Sequence, residues 1–314
     1  MERVNQKELH VIFGTGPLGM WTMRELLKLN KKVRIVNRSG SKNSMPDEVE
    51  TVAGNAFDNL KVAELTKGAA AVYQCAQPAY HDWVKSFLQM QQAIIEGTAV
   101  NGARLIVAEN LYMYGMPTNA PFVETTSYNA HTRKGKVRQA MTEALEWAHN
   151  SGKLPITRVR GSDFWGPDDF AATPLIFGSA LSGKRASILG NMHKPHTFTY
   201  APDFGKALAI AGTNEAANGE IWHVPSNPPI TQIELLQLIS AKLDKNVKTR
   251  VVETWLIRIL GLFNPSMHEM VEMMYQWNNP FVMDSSKFEK TFGMKATSID
   301  EAIFNTLNWC RKNI

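Results

Sequence analysis

Three glycines set out the first chemistry available to this chain. Gly14, Gly16 and Gly19 stand in G-x-G-x-x-G spacing within ELHVIFGTGPLGMWTMRELLKLN, residues 8–30. Gly14 allows a tight turn, Gly16 lets the backbone approach a pyrophosphate, and Gly19 lets a helix pack closely on a strand. Thr15, Pro17 and Leu18 complete this phosphate loop. Further on stand Asn37, Arg38 and Ser39, with Lys42 nearby. A carboxylate about 20 residues past the glycines would accept both ribose hydroxyls and repel a 2′-phosphate. Neutral Asn37 followed by cationic Arg38 instead favours NADP(H) over NAD(H), with Arg38 pairing the phosphate and lying against the adenine.

Those residues can act only if the elements around them are the right ones. Val11, Ile12 and Phe13 read as a buried parallel strand, and Leu18, Trp21, Thr22, Leu26 and Leu29 recur at roughly helical spacing. VRIV at residues 33–36 is a second strand, so the loop lies in a strand, helix, strand unit. Strand patterns follow in EVETVAG ending near Gly54, then at residues 70–76, 104–110 and 155–164. Helical stretches lie between them at residues 60–67, 81–96 and 134–149. This alternation predicts an α/β fold, a doubly wound parallel (Rossmann) sheet.

After Gly166-Pro167 the pattern loosens into a helix near residues 171–182, a strand in RASILG and the loop NMHKPHTFTYAPDF. The expected organisation is a nucleotide-binding domain over residues 1–168 and a smaller, discontinuous C-terminal substrate lobe in 169–314. Segments near 198–226 and 280–290 are expected to return to the first domain. No repeat, low-complexity tract or linker is evident.

The bulk properties exclude several classes. The 314 residues are 44% hydrophobic and 20% charged, enough for a sizeable core. The net charge of +5 is mild and spread along the chain, so a nucleic-acid partner is not expected. Cys75 and Cys310 are the two cysteines, without metal-ligand spacing, so no metal is expected and a reducing compartment suits them. The charged start MERVNQKELHVIF enters the first strand almost at once, leaving no room for a signal peptide and pointing to the cytoplasm. WLIRILGLF, from Trp255, is short and interrupted by Arg258, so it is read as a buried helix or a pocket wall and not as a membrane span.

Taken together the motifs resemble the extended short-chain dehydrogenase/reductase superfamily of NAD-dependent epimerases and dehydratases, over nearly the whole chain. The glycine loop matches its opening in the G-x-G form of atypical members. Gly54-Asn55-Ala56-Phe57-Asp58 resembles its adenine-contact segment, with Asn55 for the first Asp. Residues 109–115, Glu-Asn-Leu-Tyr-Met-Tyr-Gly, resemble its fifth-strand ending, and Arg160 through Gly166-Pro167 resemble the end of the next strand. The C-terminal MDSSKFEKTFGMKATSIDEAIFNTLNW resembles its last segment. The resemblance implies that Asn55 and Ala56, the strand-end residues Cys75, Ala76 and Gln77, and a lysine join the cofactor site.

In that superfamily a Ser or Thr, a Tyr and a Lys one turn beyond the Tyr carry the reaction. The Lys holds the nicotinamide ribose and lowers the Tyr pKa, the Tyr passes the proton, and the Ser polarises the substrate oxygen. Asn110 stands at the Ser position, and its amide can still donate to a carbonyl oxygen. Val137, Ala140, Met141, Ala144 and Ala148 form an apolar stripe, and the family's lysine precedes such a stripe by three residues, which selects Lys134 over Lys136. One turn before Lys134 stands Ala130. The nearest phenol is Tyr128, six residues before Lys134, out of phase on a continuous helix. Two readings follow: Tyr128 reaches the site from a loop, or the site binds NADPH without the usual donor. Tyr112 and Tyr114 compete with Tyr128.

His193 and His196 read as a solvated loop, and Asp163, Asp168 and Asp169 as turn residues or a pocket mouth. Met267, Met270, Met273, Met274, Tyr275 and Trp277 read as an adaptable apolar surface. The expected protein is an NADP(H)-dependent oxidoreductase or epimerase/dehydratase-like enzyme with a small-molecule substrate, no membrane partner, and a monomeric or homodimeric state. The alternative is a catalytically silent NADP(H)-binding sensor.

Overall fold

Seven parallel strands form the centre of the molecule. The structure is a computed structural model that describes residues 8–42, 45–118 and 120–314. The start of the chain, residues 1–7, on which the signal-peptide reading rests, lies outside the described residues. The first six strands are β1 (Leu9–Phe13), β2 (Lys32–Asn37), β3 (Glu50–Ala53), β4 (Ala69–Gln74), β5 (Arg104–Glu109) and β6 (Ile156–Arg160). With the strand Ile221–His223 at one edge, the order runs Ile221–His223, β6, β5, β4, β1, β2, β3. Every pair is parallel, with β1 between β2 and β4.

The strands are apolar nearly throughout because helices cover both faces. On one side α1 (Pro17–Lys28) packs with the helix Ala201–Thr213 over Ile12, Ile35, Tyr73 and Ile106. On the other, α2 (Asn59–Leu65), α3 (Trp83–Ala99) and α4 (Arg133–Asn150) bury Val11, Phe13, Val72 and Val107. The strand order reverses between β1 and β4, so their carboxyl ends open a crevice at the position where α/β sheets bind ligands.

Two expected boundaries move. The segment 155–164 divides into β6 and the short strand Phe164–Trp165, which pairs with Thr199–Tyr200 outside the main sheet. The loop after RASILG therefore contains a strand and the start of the helix Ala201–Thr213. The expected helix near 171–182 forms, with a π-helical stretch at Pro174–Gly178 that continues into Ser179–Leu181.

The lobe has its own core around Phe177, Ile188, Leu235, Ile239, Ile303 and Leu307. Its helix Thr254–Gly261 corrects the buried reading of WLIRILGLF. Only Ile257 of that helix is buried, while Trp255 is 61% exposed and the following Leu262 and Phe263 are 77% and 85% exposed. No helix among the described residues is long and apolar enough to cross a membrane.

Candidate active site

The glycine loop makes the turn from β1 into α1 beneath the end of β4. Gly14 has φ +110°, and a Cβ there would stand 2.7 Å from the Ala76 nitrogen, so no other residue fits without shifting that backbone. A Cβ on Gly19 would collide with the Gly14 carbonyl oxygen. Gly16 differs, since a Cβ there would meet nothing within 4 Å. Open space therefore stands before the N-terminus of the 12-residue α1, where the Leu18 and Gly19 amides have no partner among the described residues. Such amides and the helix dipole suit a phosphate, so the residues present fit the pyrophosphate of a dinucleotide.

At the end of β2 the Asn37 side chain folds the next loop. Its Oδ1 accepts from the Ser39 and Gly40 amides at 3.1 and 2.6 Å, and its Nδ2 donates to the Ser41 carbonyl at 3.1 Å. Arg38 projects into solvent with no hydrogen bond to the described residues, and lines a shallow depression with Ala53, Gly54, Asn55 and Lys61. Asn55 caps its own turn by accepting from the Phe57 amide. Ala56 is half-buried beside it, and Cys75, Ala76 and Gln77 follow the end of β4 at the crevice.

Lys134 is placed by the first turn of α4. Thr132 caps that helix by accepting from the Gly135 amide at 3.0 Å. Lys134 is fully buried, and its Nζ donates to the Tyr80 carbonyl at 2.9 Å and to Glu269 Oε2 at 2.6 Å, lying 4.3 Å over the Tyr80 ring. Glu269 and Glu272 come from the lobe: Arg133 also pairs with Glu269, and Glu272 accepts the Arg133 and Lys134 amides. Burial raises the Glu269 carboxyl, but Lys134 and Arg133 outweigh it and hold the group below the usual carboxylate range. The buried side of α4 runs through Lys134, Arg138, Met141, Thr142, Leu145 and Ala148. The apolar stripe expected from the sequence mistakes its phase, because Arg138 and Thr142 belong to the buried face.

Asn110 ends β5 at the same crevice. Its Oδ1 accepts from the Tyr112 amide at 3.3 Å, and its Nδ2 has no partner among the described residues. Tyr112 lies beside Tyr80 and Gln276, and burial pushes both phenols well up, with Asp163 adding to each.

Tyr128 requires a correction. Its hydroxyl donates to Glu146 Oε1 at 2.6 Å and accepts from Arg160 Nη2 at 3.0 Å. Glu146 follows Lys134 by 12 residues on the same helix, about 18 Å along its axis. The phenol therefore belongs to the buried network of Arg160, Glu109, Tyr114 and Thr142, and not to the surroundings of Lys134. Tyr114 is in that network too, bonded to His223 Nε2 at 2.8 Å, and burial pushes it up to about 12.

The histidine reading also changes. His193 is exposed, but His196 is buried, lies flat on Trp277 with centroids 4.3 Å apart, and meets Asp163 Oδ2 at 3.0 Å. Asp168 pairs with Arg24, and Asp169 accepts from the amides of residues 171–173. Sequence reasoning passed over Tyr80, Glu269 and Glu272. The E-x-x-E spacing in HEMVEMM was the visible signal, but nothing local says that its partner is a lysine 135 residues earlier. Among the described residues no group of three or more His, Cys, Asp or Glu could hold a metal ion.

The model of the NAD dependent epimerase/dehydratase family matches residues 11–224. An uncharacterized protein of Sinorhizobium fredii is 22% identical over 210 residues, 61% of this chain, and the chain spans 58% of that relative's length. Among solved structures the chain is similar to an epimerase from Methanothermobacter thermautotrophicus, at 18% identity, 98% and 93% coverage of the two chains, and TM-score 0.81. It is similar to dTDP-glucose 4,6-dehydratase from Streptomyces venezuelae with NAD and TYD bound, at 17% identity, 97% coverage of each chain and TM-score 0.80. It is also similar to UDP-glucuronic acid 4-epimerase from Bacillus cereus in complex with UDP-glucuronic acid and NAD, at 13% identity, 98% and 100% coverage and TM-score 0.80. At these identities the likeness is one of fold.

Proposed function

The chain belongs to the NAD dependent epimerase/dehydratase family, and from that premise we propose that it is an NADP(H)-dependent oxidoreductase or epimerase/dehydratase-like enzyme acting on a small carbonyl or hydroxyl compound. The observation that carries the reading is the open space at Gly16 before the Leu18 and Gly19 amides, which have no partner among the described residues. There the loop of Gly14, Thr15, Gly16, Pro17, Leu18 and Gly19 would hold the pyrophosphate. Asn55, Ala56, Cys75, Ala76 and Gln77 would flank the adenosine and nicotinamide ends, and a bound nicotinamide would supply or accept a hydride. Nucleotide sugars, bound by the Bacillus neighbour, are one candidate substrate class.

NADP(H) is preferred in this reading although the solved neighbours hold NAD. Asn37 uses both ends of its amide on its own loop and offers no carboxylate to a ribose, while exposed Arg38, with no hydrogen bond among the described residues, would take a 2′-phosphate. Lys134 keeps one ammonium proton beyond those given to Tyr80 and Glu269, and that proton would go to the ribose. Asn110 Nδ2 would polarise the substrate oxygen. The test is calorimetry with NADPH and NADH. Arg38→Ala should cost about 1.5–3 kcal/mol of NADP(H) affinity and leave NAD(H) nearly unchanged. Equal losses for both cofactors would overturn the preference.

A second reading, a catalytically silent NADP(H)-binding protein, draws support from Ala130 and from the engagement of Tyr128 away from Lys134. It predicts cofactor binding without oxidation of NADPH by any carbonyl compound.

A further inference from the structure

Position 130 on the approach to α4 carries no phenol, but a phenol from the lobe packs on the residue after it. Tyr275–Asn278 form a short turn of helix beside Tyr112. The Tyr275 ring packs edge-on against His131, the neighbour of Ala130, with centroids 4.6 Å apart. Tyr275 is only 9% exposed, and its hydroxyl has no hydrogen-bond partner among the described residues. Beside it Gln276, 2% exposed, leaves its Oε1 unpaired as well. Trp277 completes the turn by stacking on His196, which holds Asp163.

A buried polar atom without a partner weakens the fold unless something else completes it. Two stand in succession here, beside Tyr112 and against His131 just before the helix that carries Lys134, and a polar ligand would complete both. Burial first, then Tyr112, Asp163 and Glu272, push the Tyr275 phenol well up, so it stays protonated and able to donate.

We propose that Tyr275 is the hydroxyl that donates its proton to the substrate oxygen, and that Gln276 Oε1 accepts from a second hydroxyl on the same molecule. This rests on the function proposed above and narrows its substrate class to hydroxylated carbonyl compounds. In the reducing direction a bound NADPH would supply the hydride to the carbonyl carbon, and the displaced π pair on the oxygen would take the Tyr275 proton. Alcohol and NADP+ leave, and the phenolate recovers a proton from water.

The experiment compares the full-length wild type with Tyr275→Phe by ligand-free thermal midpoint, by NADPH calorimetry, and by NADPH-dependent reduction of glyceraldehyde and glycolaldehyde, each a carbonyl compound with a hydroxyl beside it. The variant should keep or raise the midpoint, because it loses an unpaired hydroxyl. It should bind NADPH as the wild type does, and turn over roughly 10²-fold more slowly or worse. A midpoint lower by several degrees would show a structural phenol and overturn the proposal. Turnover within about twofold of an active wild type would overturn it alone. A wild type that binds NADPH but reduces neither probe would overturn this inference alone, and one that binds no NADPH would overturn the function proposed above as well.

Discussion

Arg160 is the centre of the buried network at the end of β6. Fully buried, it donates to Glu109, Tyr114, Tyr128 and Thr142, all within 3.0 Å. Removing the Tyr128 oxygen leaves Arg160 and Glu146 each short of a partner. Tyr128→Phe is therefore expected to cost about 1–2 kcal/mol of stability while leaving NADPH affinity and turnover near wild type. Urea unfolding beside a kinetic assay checks this, and a large loss of turnover at unchanged stability would return Tyr128 to the chemistry. The glycines, Asn37 and Arg38 were legible in the sequence because their work is done within a few residues. Tyr128 was not, because its partners lie 18 and 32 residues away and helical phase does not reach them. Tyr275 was visible only as one aromatic among methionines, since an unpaired hydroxyl has no sequence signature.

At the scale of elements, α1 and α4 present their N-termini in opposite ways. That of α1 is open, so Gly16→Val is expected to keep a cooperative thermal transition but lose the rise in midpoint on adding NADPH. A persisting rise would move the phosphate site elsewhere. That of α4 is closed by the lobe, where Glu269 and Glu272 bind Arg133 and Lys134. Glu269→Gln leaves a buried ammonium with weaker compensation and is expected to cost about 1–3 kcal/mol, read by chemical denaturation. No change would mean that Tyr80 alone holds Lys134. The strand and helix alternation through residue 160 was legible from periodicity, because parallel strands covered on both faces are nearly continuous apolar runs. The phase of α4 was misread because its buried face includes Arg138 and Thr142, which bond to Ala108 and Arg160. The exposure of Trp255 and Phe263 was not legible, since an apolar run does not say whether anything covers it.

At the scale of the whole molecule, two buried histidines couple stability to pH. His10 faces the Tyr73 hydroxyl, and burial pulls it down to about 4. His223 lies between the Tyr114 hydroxyl and the Asp284 carbonyl, and burial pulls it down to about 3. Unfolded, each titrates near 6.5, so between about pH 6.5 and 4 the unfolded chain binds more protons and stability rises with pH. Acidification from pH 7 to 4 is expected to remove about 3 kcal/mol through His10 alone, seen as a falling midpoint in scans. A flat profile over that range would mean that both imidazoles escape desolvation.

The strand Ile221–His223 closes the sheet edge beside β6, yet residues 161–220 must be made between them. At about 5–20 residues per second, a growing chain carries β6 with a bare edge for roughly 3–12 s. Until His223 leaves the ribosome, Tyr114 also lacks its imidazole partner. A nascent chain halted in that interval offers an unpaired strand to any neighbour on the same polysome, so stop codons between residues 161 and 220 should yield aggregates or chaperone-bound fragments in place of a soluble nucleotide-binding half.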